Sequence, residues 1–365
     1  MIAIIHPAEK TTTDSFQVSI TGMTSMGNYA LDLTDDMVKE HNMVIGEVLE
    51  LDFGYEKCKG VLTTQYNGAP LFGLFVNRDI DGTYCMGLYC YSIADVLLDK
   101  IGAKFTMSHD GTISKQATSI PKYISGYSDN KDDFNSLIEY TNFRPITMGN
   151  IKPGLLYRSA SPYPYEGSER YKYVDQVLMG TGVDHLLLMN IGLEDAKKNC
   201  QKECVFTQSL LDADMVYAKK LSPALFCYDD QVKYVMDTII DSEGSIAISC
   251  ALGKDRTGYY VAMLEALAGA SYKEIREDYM VTMFNLYGIT KDEPEYEVLA
   301  SMFIDPAFYI MEHLELLEDP LRVDWGALNM DIDSVDAYAC VHNYLTKNVG
   351  MSEERVQALV DRLTQ

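Results

Sequence analysis

The sequence predicts a small β-rich domain followed by a larger α/β domain. Three observations point there. Short strand-like runs broken by turn dipeptides fill the first 115 residues. From about residue 141, helical periodicity alternates with short apolar runs. At Ser245–Tyr260, SIAISCALGKDRTGYY, a buried strand end passes through a tight glycine-containing loop into an apolar helix. At 365 residues the chain has room for two domains.

Within residues 1–115 the strand-like runs are Met43–Phe53, Gly60–Gln65, Pro70–Asn77 and Thr83–Tyr91. Asn67-Gly68 and Asp81-Gly82 are turn dipeptides between them, and Asp110-Gly111-Thr112 marks a further turn. Ile93–Ile101 reads as one short helix. The sum is a barrel or sandwich with no convincing catalytic set; His6, His41 and His109 stand isolated in sequence. Residues 116–140 read as a linker with Ser119-Ile120-Pro121, an acidic run and a helix over Lys131–Glu139.

Residues 141–365 form the second predicted domain. Helices are expected over Glu169–Met179, Asp212–Leu221, Asp229–Ile240 and Tyr259–Leu267, with a strand at Leu186–Met189. Ser271 and Glu274 have capping-box spacing, and Ser352 fits the N-cap of a last helix.

The net charge of −24 repels nucleic acid backbones and anionic membranes. No run of about 18 apolar residues is present, so no membrane-spanning helix is expected. The N-terminus lacks the pattern of a secretory leader, which makes a cytoplasmic location the expectation. Eight cysteines without C-x-x-C spacing suit reduced thiols. Cys200 and Cys204 can share a helix face, but no companion pair argues for zinc, and neither metal nor cofactor is expected.

The chemistry concentrates at Cys250–Gly258. A loop whose N–H groups converge at a helix N-terminus makes an anion cradle. Ala251, Leu252, Gly253, Lys254, Thr257 and Gly258 would line it, and Arg256 offers a planar fork to two phosphate oxygens. The same dipoles favour a thiolate at Cys250, a nucleophile aimed at phosphorus. Thr257 places a hydroxyl near the sulfur, and Lys254 adds charge for a second anionic group.

The run CALGKDRTG resembles the signature loop of cysteine-dependent phosphatases, and its Gly-Lys-Asp-Arg-Thr-Gly ending is most similar to the atypical bacterial tyrosine phosphatases, some of which also act on phosphoinositides. Asn142-Phe143-Arg144 and Gly154-Leu155-Leu156-Tyr157-Arg158-Ser159 resemble the same family's opening. The resemblance covers about 141–365 and implies a central, mainly parallel sheet flanked by helices. It implies a phosphomonoester hydrolase of protein-tyrosine type, working through a phosphocysteine on phosphotyrosine proteins or other phosphomonoesters. Three departures stand out: Ser249 where the family has His, Pro145 where it has Asp, and Asn190-Ile191-Gly192 where it has Asp-Leu-Arg. They support an alternative, a weak pseudophosphatase or phosphoprotein-binding module. A rhodanese- or arsenate-type thiol enzyme fits Arg256-Thr257-Gly258 less well. Asp255 is the first candidate general acid, with loop bracing as its other role; Asp195, Asp212 and Asp214 are alternatives. Arg144 and Arg158 read either as supports of the phosphate loop or as buried partners of carboxylates, and Asp278-Tyr279 reads as structural.

Overall fold

The computed structural model describes residues 15–24, 27–64, 68–69, 73–79, 82–89, 92–97, 101–114, 123, 126–165, 167–222, 228–318 and 331–365. The chain divides into two compact units. One is Met1–Ile124 with Ser301–Phe303 and Glu318–Leu328; the other is Ser125–Ala300 with Ile304–Leu317 and Asn329–Gln365.

The first unit is a closed seven-stranded barrel. Its elements are β1 (Ser15–Met23), β2 (Tyr29–Leu31), α1 (Asp35–Glu40), β3 (Glu47–Asp52), β4 (Lys57–Thr63), β5 (Leu74–Arg78), β6 (Tyr84–Leu88), α2 (Ile93–Val96) and β7 (Lys104–Ile113). Around the barrel the order is β1-β2-β6-β5-β4-β3-β7, and β7 closes on β1. The alternation of side chains sends Leu49 and Leu51 of β3 inward with Val18, Ile20, Leu62, Val76, Met86, Phe105 and Met107.

Three local expectations do not hold. β4 and β5 pair in parallel, from Gly60↔Leu74 to Thr63↔Asn77. The stretch between them is therefore a crossover, and Asn67-Gly68 closes no hairpin (Asn67 itself lies outside the described residues). Asp110-Gly111-Thr112 sits inside β7, where the register with β3 slips between Leu49↔His109 and Glu47↔Ile113. Gly111 takes φ +85° at this irregularity, so the glycine serves a bulge and not a turn. Of the helix expected over Ile93–Ile101, Ile93–Val96 is helical, Leu97 is extended and Ile101 lies in a turn, while residues 98–100 lie outside the described residues. His6, Ser119-Ile120-Pro121, Cys90 and Cys227 lie outside the described residues.

In the second unit, the helix expected at Lys131–Glu139 is two pieces. A 3₁₀ turn, Lys131–Asp133, is capped by Asn130, and α3 (Leu137–Tyr140) is capped by Ser136, whose side chain accepts from Glu139 N–H. Two competing caps six residues apart divide the helix. The sheet that follows comprises β8 (Arg144–Pro145), β9 (Leu156–Ser159), β10 (His185–Leu188), β11 (Val216–Ala218) and β12 (Ile246–Ser249). Its order is β11-β10-β12-β9-β8, parallel except for β8. Every residue of β12 is buried, as befits the central strand.

The helices are α4 (Arg170–Thr181), α5 (Leu193–Asn199), α6 (Val205–Asp212), α7 (Asp229–Asp241), α8 (Asp255–Leu267), α9 (Tyr272–Tyr287), α10 (Pro294–Glu312), α11 (Ala337–Asn343) and α12 (Glu353–Thr364). Asp212–Leu221 is not a helix: α6 ends at Asp212, Asp214 takes φ +57°, and Val216–Ala218 pairs with Leu186–Leu188. Tertiary pairing with a buried strand overrides the local pattern there. Cys200 ends α5 and Cys204 precedes α6, so they share no helix face. The capping box of Ser271 and Glu274 forms, and Ser352 caps α12. The nineteen-residue α10, with Pro306 inside it, went unread in the sequence. Among the described residues no helix is long and apolar enough to cross a membrane.

Candidate active site

Parallel strands put all their C-terminal ends on one edge of the sheet, and ligands bind at that edge. Cys250 follows β12 there, 3% exposed. Ala251–Lys254 turn the chain, and α8 begins at Asp255. Gly253 makes the turn with φ +67°; a Cβ there would lie 2.5 Å from the Ser159 carbonyl oxygen. Gly258 brings α8 against α9, since a Cβ would meet the Tyr279 ring at 2.6 Å. Strand, loop and helix follow in the expected order, but α8 starts at Asp255, four residues before the helix expected at Tyr259, so Thr257 and Gly258 lie in the helix and not in the turn.

The loop's carbonyls are held from behind. The Ser161 N–H donates to Ala251 O at 3.2 Å. Asn142 Nδ2 donates to Leu252 O at 3.0 Å and to Gly253 O at 3.2 Å. Arg158 Nη2 also donates to Gly253 O, at 3.1 Å. Asn142 Oδ1 in turn accepts from Arg144 Nη1 (3.1 Å) and Asn285 Nδ2 (3.0 Å). Asp278 ties the two arginines together, accepting from Arg144 Nε at 2.8 Å and from Arg158 Nη1 at 2.8 Å.

Both readings of the arginines therefore hold at once: they pair with a buried carboxylate, and Arg158 also grips the loop. Burial pulls Arg158 down to about 10, with the like charge of Arg144 second. Burial pushes Asp278 up, but Arg144 and Arg158 outweigh it and hold the carboxyl below its ordinary value. Glu265, 1% exposed on α8, goes the other way: burial, then Asp278, raises it well above the carboxylate range. Asn142, Asn285 and Glu265 had no assigned role in the sequence. The Asn-Phe-Arg run was the available signal for Asn142.

Arg256 lies in the first turn of α8. Its Nη1 donates to Met189 O at 2.9 Å and Leu221 O at 3.0 Å, the chain just beyond β10 and β11. Two carbonyls thereby fix the guanidinium across the strand ends. Lys254 departs from expectation. It is 4% exposed, with Nζ 3.3 Å from Asp255 Oδ1 and 5.8 Å from the Tyr287 ring centroid. Its charge is turned onto the protein and not outward to a second anion. The Thr257 hydroxyl is buried and hydrogen-bonds nothing among the described residues, the Cys250 thiol included. The Ser249 hydroxyl is likewise buried without a partner. Asn190 Nδ2 donates to Ser161 Oγ at 3.1 Å, bracing the segment that holds Ala251.

A family model described as the tyrosine phosphatase family matches residues 164–365. The chain belongs to the tyrosine phosphatase family. The match begins downstream of Asn142, Arg144 and Arg158. No curated protein matches the chain. Two solved structures are similar. One is an uncharacterised conserved protein from Thermotoga maritima, 13% identical, with 29% of this chain and 42% of that chain covered and a TM-score of 0.24. The other is the core catalytic domain of the PP-IP phosphatase SIW14 from S. cerevisiae in complex with citrate. It is 15% identical, with 48% of this chain and 98% of that chain covered and a TM-score of 0.25.

Topology sorts the four carboxylates that the sequence offered as proton donors. Asp212 and Asp214 precede β11, at the N-terminal end of a parallel strand, so they lie on the edge opposite Cys250. Asp214 pairs there with Lys197, at 3.7 Å. They are removed as candidates. Asp195 stands in the first turn of α5, after the C-terminal end of β10, and Asp255 begins α8 inside the loop. Asp229 and Asp230, which carried no expected role, open α7 beyond β11. Asn348 Nδ2 donates to Asp229 at 3.0 Å, and Lys219 lies 3.6 Å from Asp230.

Proposed function

We propose that the chain is a phosphomonoester hydrolase of protein-tyrosine type, with Cys250 as nucleophile. The observation that carries this is the placement of Cys250 at the C-terminal end of the central strand, with Arg256 in the first turn of α8 and the loop carbonyls drawn outward. The thiolate attacks phosphorus, forming an S–P bond as the P–O bond to the leaving group breaks. N–H groups of Ala251–Arg256 and the Arg256 fork hold the three equatorial oxygens. Asp255 gives its proton to the departing oxygen and then takes one from the water that attacks phosphorus. That second step releases phosphate and returns the thiolate. Ala251, Leu252, Gly253, Thr257 and Gly258 shape the cradle. Lys254 acts through Asp255, orienting its carboxyl. A single phosphate suffices as the recognised group, and phosphoinositides enter as members of a test panel.

The test is turnover of p-nitrophenyl phosphate, phosphotyrosine peptide and phosphoinositides by the full chain. Cys250→Ser and Arg256→Ala are expected to abolish turnover. Asp255→Asn is expected to cost more on phosphotyrosine than on p-nitrophenyl phosphate, whose leaving group needs less protonation. Asp195→Asn is expected to change neither. A folded wild-type chain that binds inorganic phosphate without turning over any substrate refutes the enzyme. The binding-module reading, which Ser249 favours, then stands in its place.

A further inference from the structure

We propose that Asn142 is a positioning residue that turns the loop's N–H groups onto the substrate phosphate. This rests on the reading of Cys250–Gly258 as a phosphate cradle. In a trans peptide the C=O of one residue and the N–H of the next point in opposite directions. Ala251 O, Leu252 O and Gly253 O are all engaged behind the loop, by Ser161, Asn142 and Arg158. The N–H groups of Leu252, Gly253 and Lys254 must then face the opposite side, where Cys250 ends its strand. Those of Leu252 and Gly253 donate to no acceptor among the described residues.

Asn142 governs two of these three planes with one amide. It is fully buried, and its backbone takes φ +49°, a conformation asparagine tolerates better than most residues. Its amide orientation is set by its surroundings. Oδ1 faces two donors, on Arg144 and Asn285, and Nδ2 faces two carbonyls. A flipped amide would oppose donor to donor and acceptor to acceptor. The buried Asp278 fixes Arg144, and through it the amide. Asn142 touches no substrate atom in this scheme; it acts through the backbone it holds.

The experiment uses the full chain, inorganic phosphate as the ligand and iodoacetamide as the thiol probe. Asn142→Gly keeps the left-handed backbone and deletes the amide. Asn142→Asp keeps the shape but sets an oxygen against the two carbonyls. Asn285→Ala leaves Asn142 in place and removes one of the two donors that orient its amide. Removing one oxyanion-type donor costs about 10²-fold or more in kcat, and misaiming two donors is expected to cost at least that. Phosphate affinity is expected to fall about tenfold or more for both Asn142 variants and less for Asn285→Ala. The pH midpoint of Cys250 alkylation should rise in the same order, a readout that looser packing alone would not move. Variants that keep wild-type phosphate affinity and alkylation profile overturn the proposal. If both Asn142 variants fail to fold, an unchanged affinity in Asn285→Ala does the same. A wild-type chain that binds no phosphate sinks the cradle reading itself, and with it the proposal.

Discussion

Glu265→Gln is expected to stabilise the protein, by an amount that grows with pH. Glu265 sits on α8 with 1% exposure, and its Oε1 has no hydrogen-bond partner. Burial, then the negative charge of Asp278, raises its pKa well above the ordinary range; Arg158 and Arg144 offset part of this. A carboxyl whose folded pKa is raised contributes its stability below its unfolded value, about 4.3. That contribution drains as pH rises toward the folded value. Over that window the wild-type fold holds a proton the unfolded chain releases, which costs about 1.4 kcal/mol per pH unit. Glutamine keeps the shape and carries no charge at any pH. The stability gap should therefore be near zero at about pH 4.3 and widen by about 1.4 kcal/mol for each unit above it until pH reaches the folded value. Urea unfolding of both chains at pH 5, 6, 7 and 8, at one ionic strength, measures the gap. A gap that stays flat with pH would show that Glu265 is ionised among the arginines, and would refute the reasoning.

Asp278→Asn should act with the opposite sign of pH dependence. It leaves Arg144 and Arg158 buried without their shared carboxylate, a loss of about 3–5 kcal/mol. Because the Asp278 pKa is lowered in the fold, that deficit is complete above the ordinary carboxylate range and fades only as pH falls through it. Urea midpoints across pH 3–7 check both parts. Gly253→Ala meets left-handed backbone and a carbonyl oxygen at 2.5 Å, whereas Gly182→Ala has φ +70° with nothing within 4 Å. Both substitutions pay about 1–2 kcal/mol for the backbone conformation. Only Gly253→Ala should lose more in a calorimetric melt and lose phosphate binding; equal losses in the two would count against the close approach.

What the sequence made legible was the local part of the site. Cys250, Gly253 and Arg256 lie within one contiguous run, and strand-to-helix periodicity orders them, though it starts the helix at Tyr259 and not at Asp255. A β-rich first unit was legible from turn-punctuated apolar runs, but its closure into a barrel and its register were not. The parallel β4–β5 pairing and the bulge at Gly111 depend on strands remote in sequence. The same holds for the buttress. Asn142 reaches the loop across 110 residues and Asp278 reaches Arg158 across 120. No period or spacing connects such positions. Lys254 illustrates the converse: its place in the loop suggested an outward charge, and packing against Tyr287 buried it.

The buttress also bears on how a chain of net charge −24 can hold an anion. Most of that charge is on the surface, where at physiological ionic strength it is screened beyond about 8 Å. The cluster behind the loop is buried and screened far less. Its members are Arg144, Arg158, Asp278 and Glu265. Two arginines against one ionised carboxylate give +1 where Glu265 is protonated, the form that its raised pKa favours. An ionised Glu265 would cancel that charge. The residue that costs stability at neutral pH is thus the one whose burial keeps the cluster cationic, and α8 carries it behind the same loop it begins. Replacing it with glutamine keeps the +1 while removing the pH-dependent cost. Glu265→Gln should therefore retain phosphate affinity at neutral pH even as it gains stability. A variant that gained stability but lost affinity would place the origin of the cradle's attraction elsewhere, in the loop dipoles and Arg256.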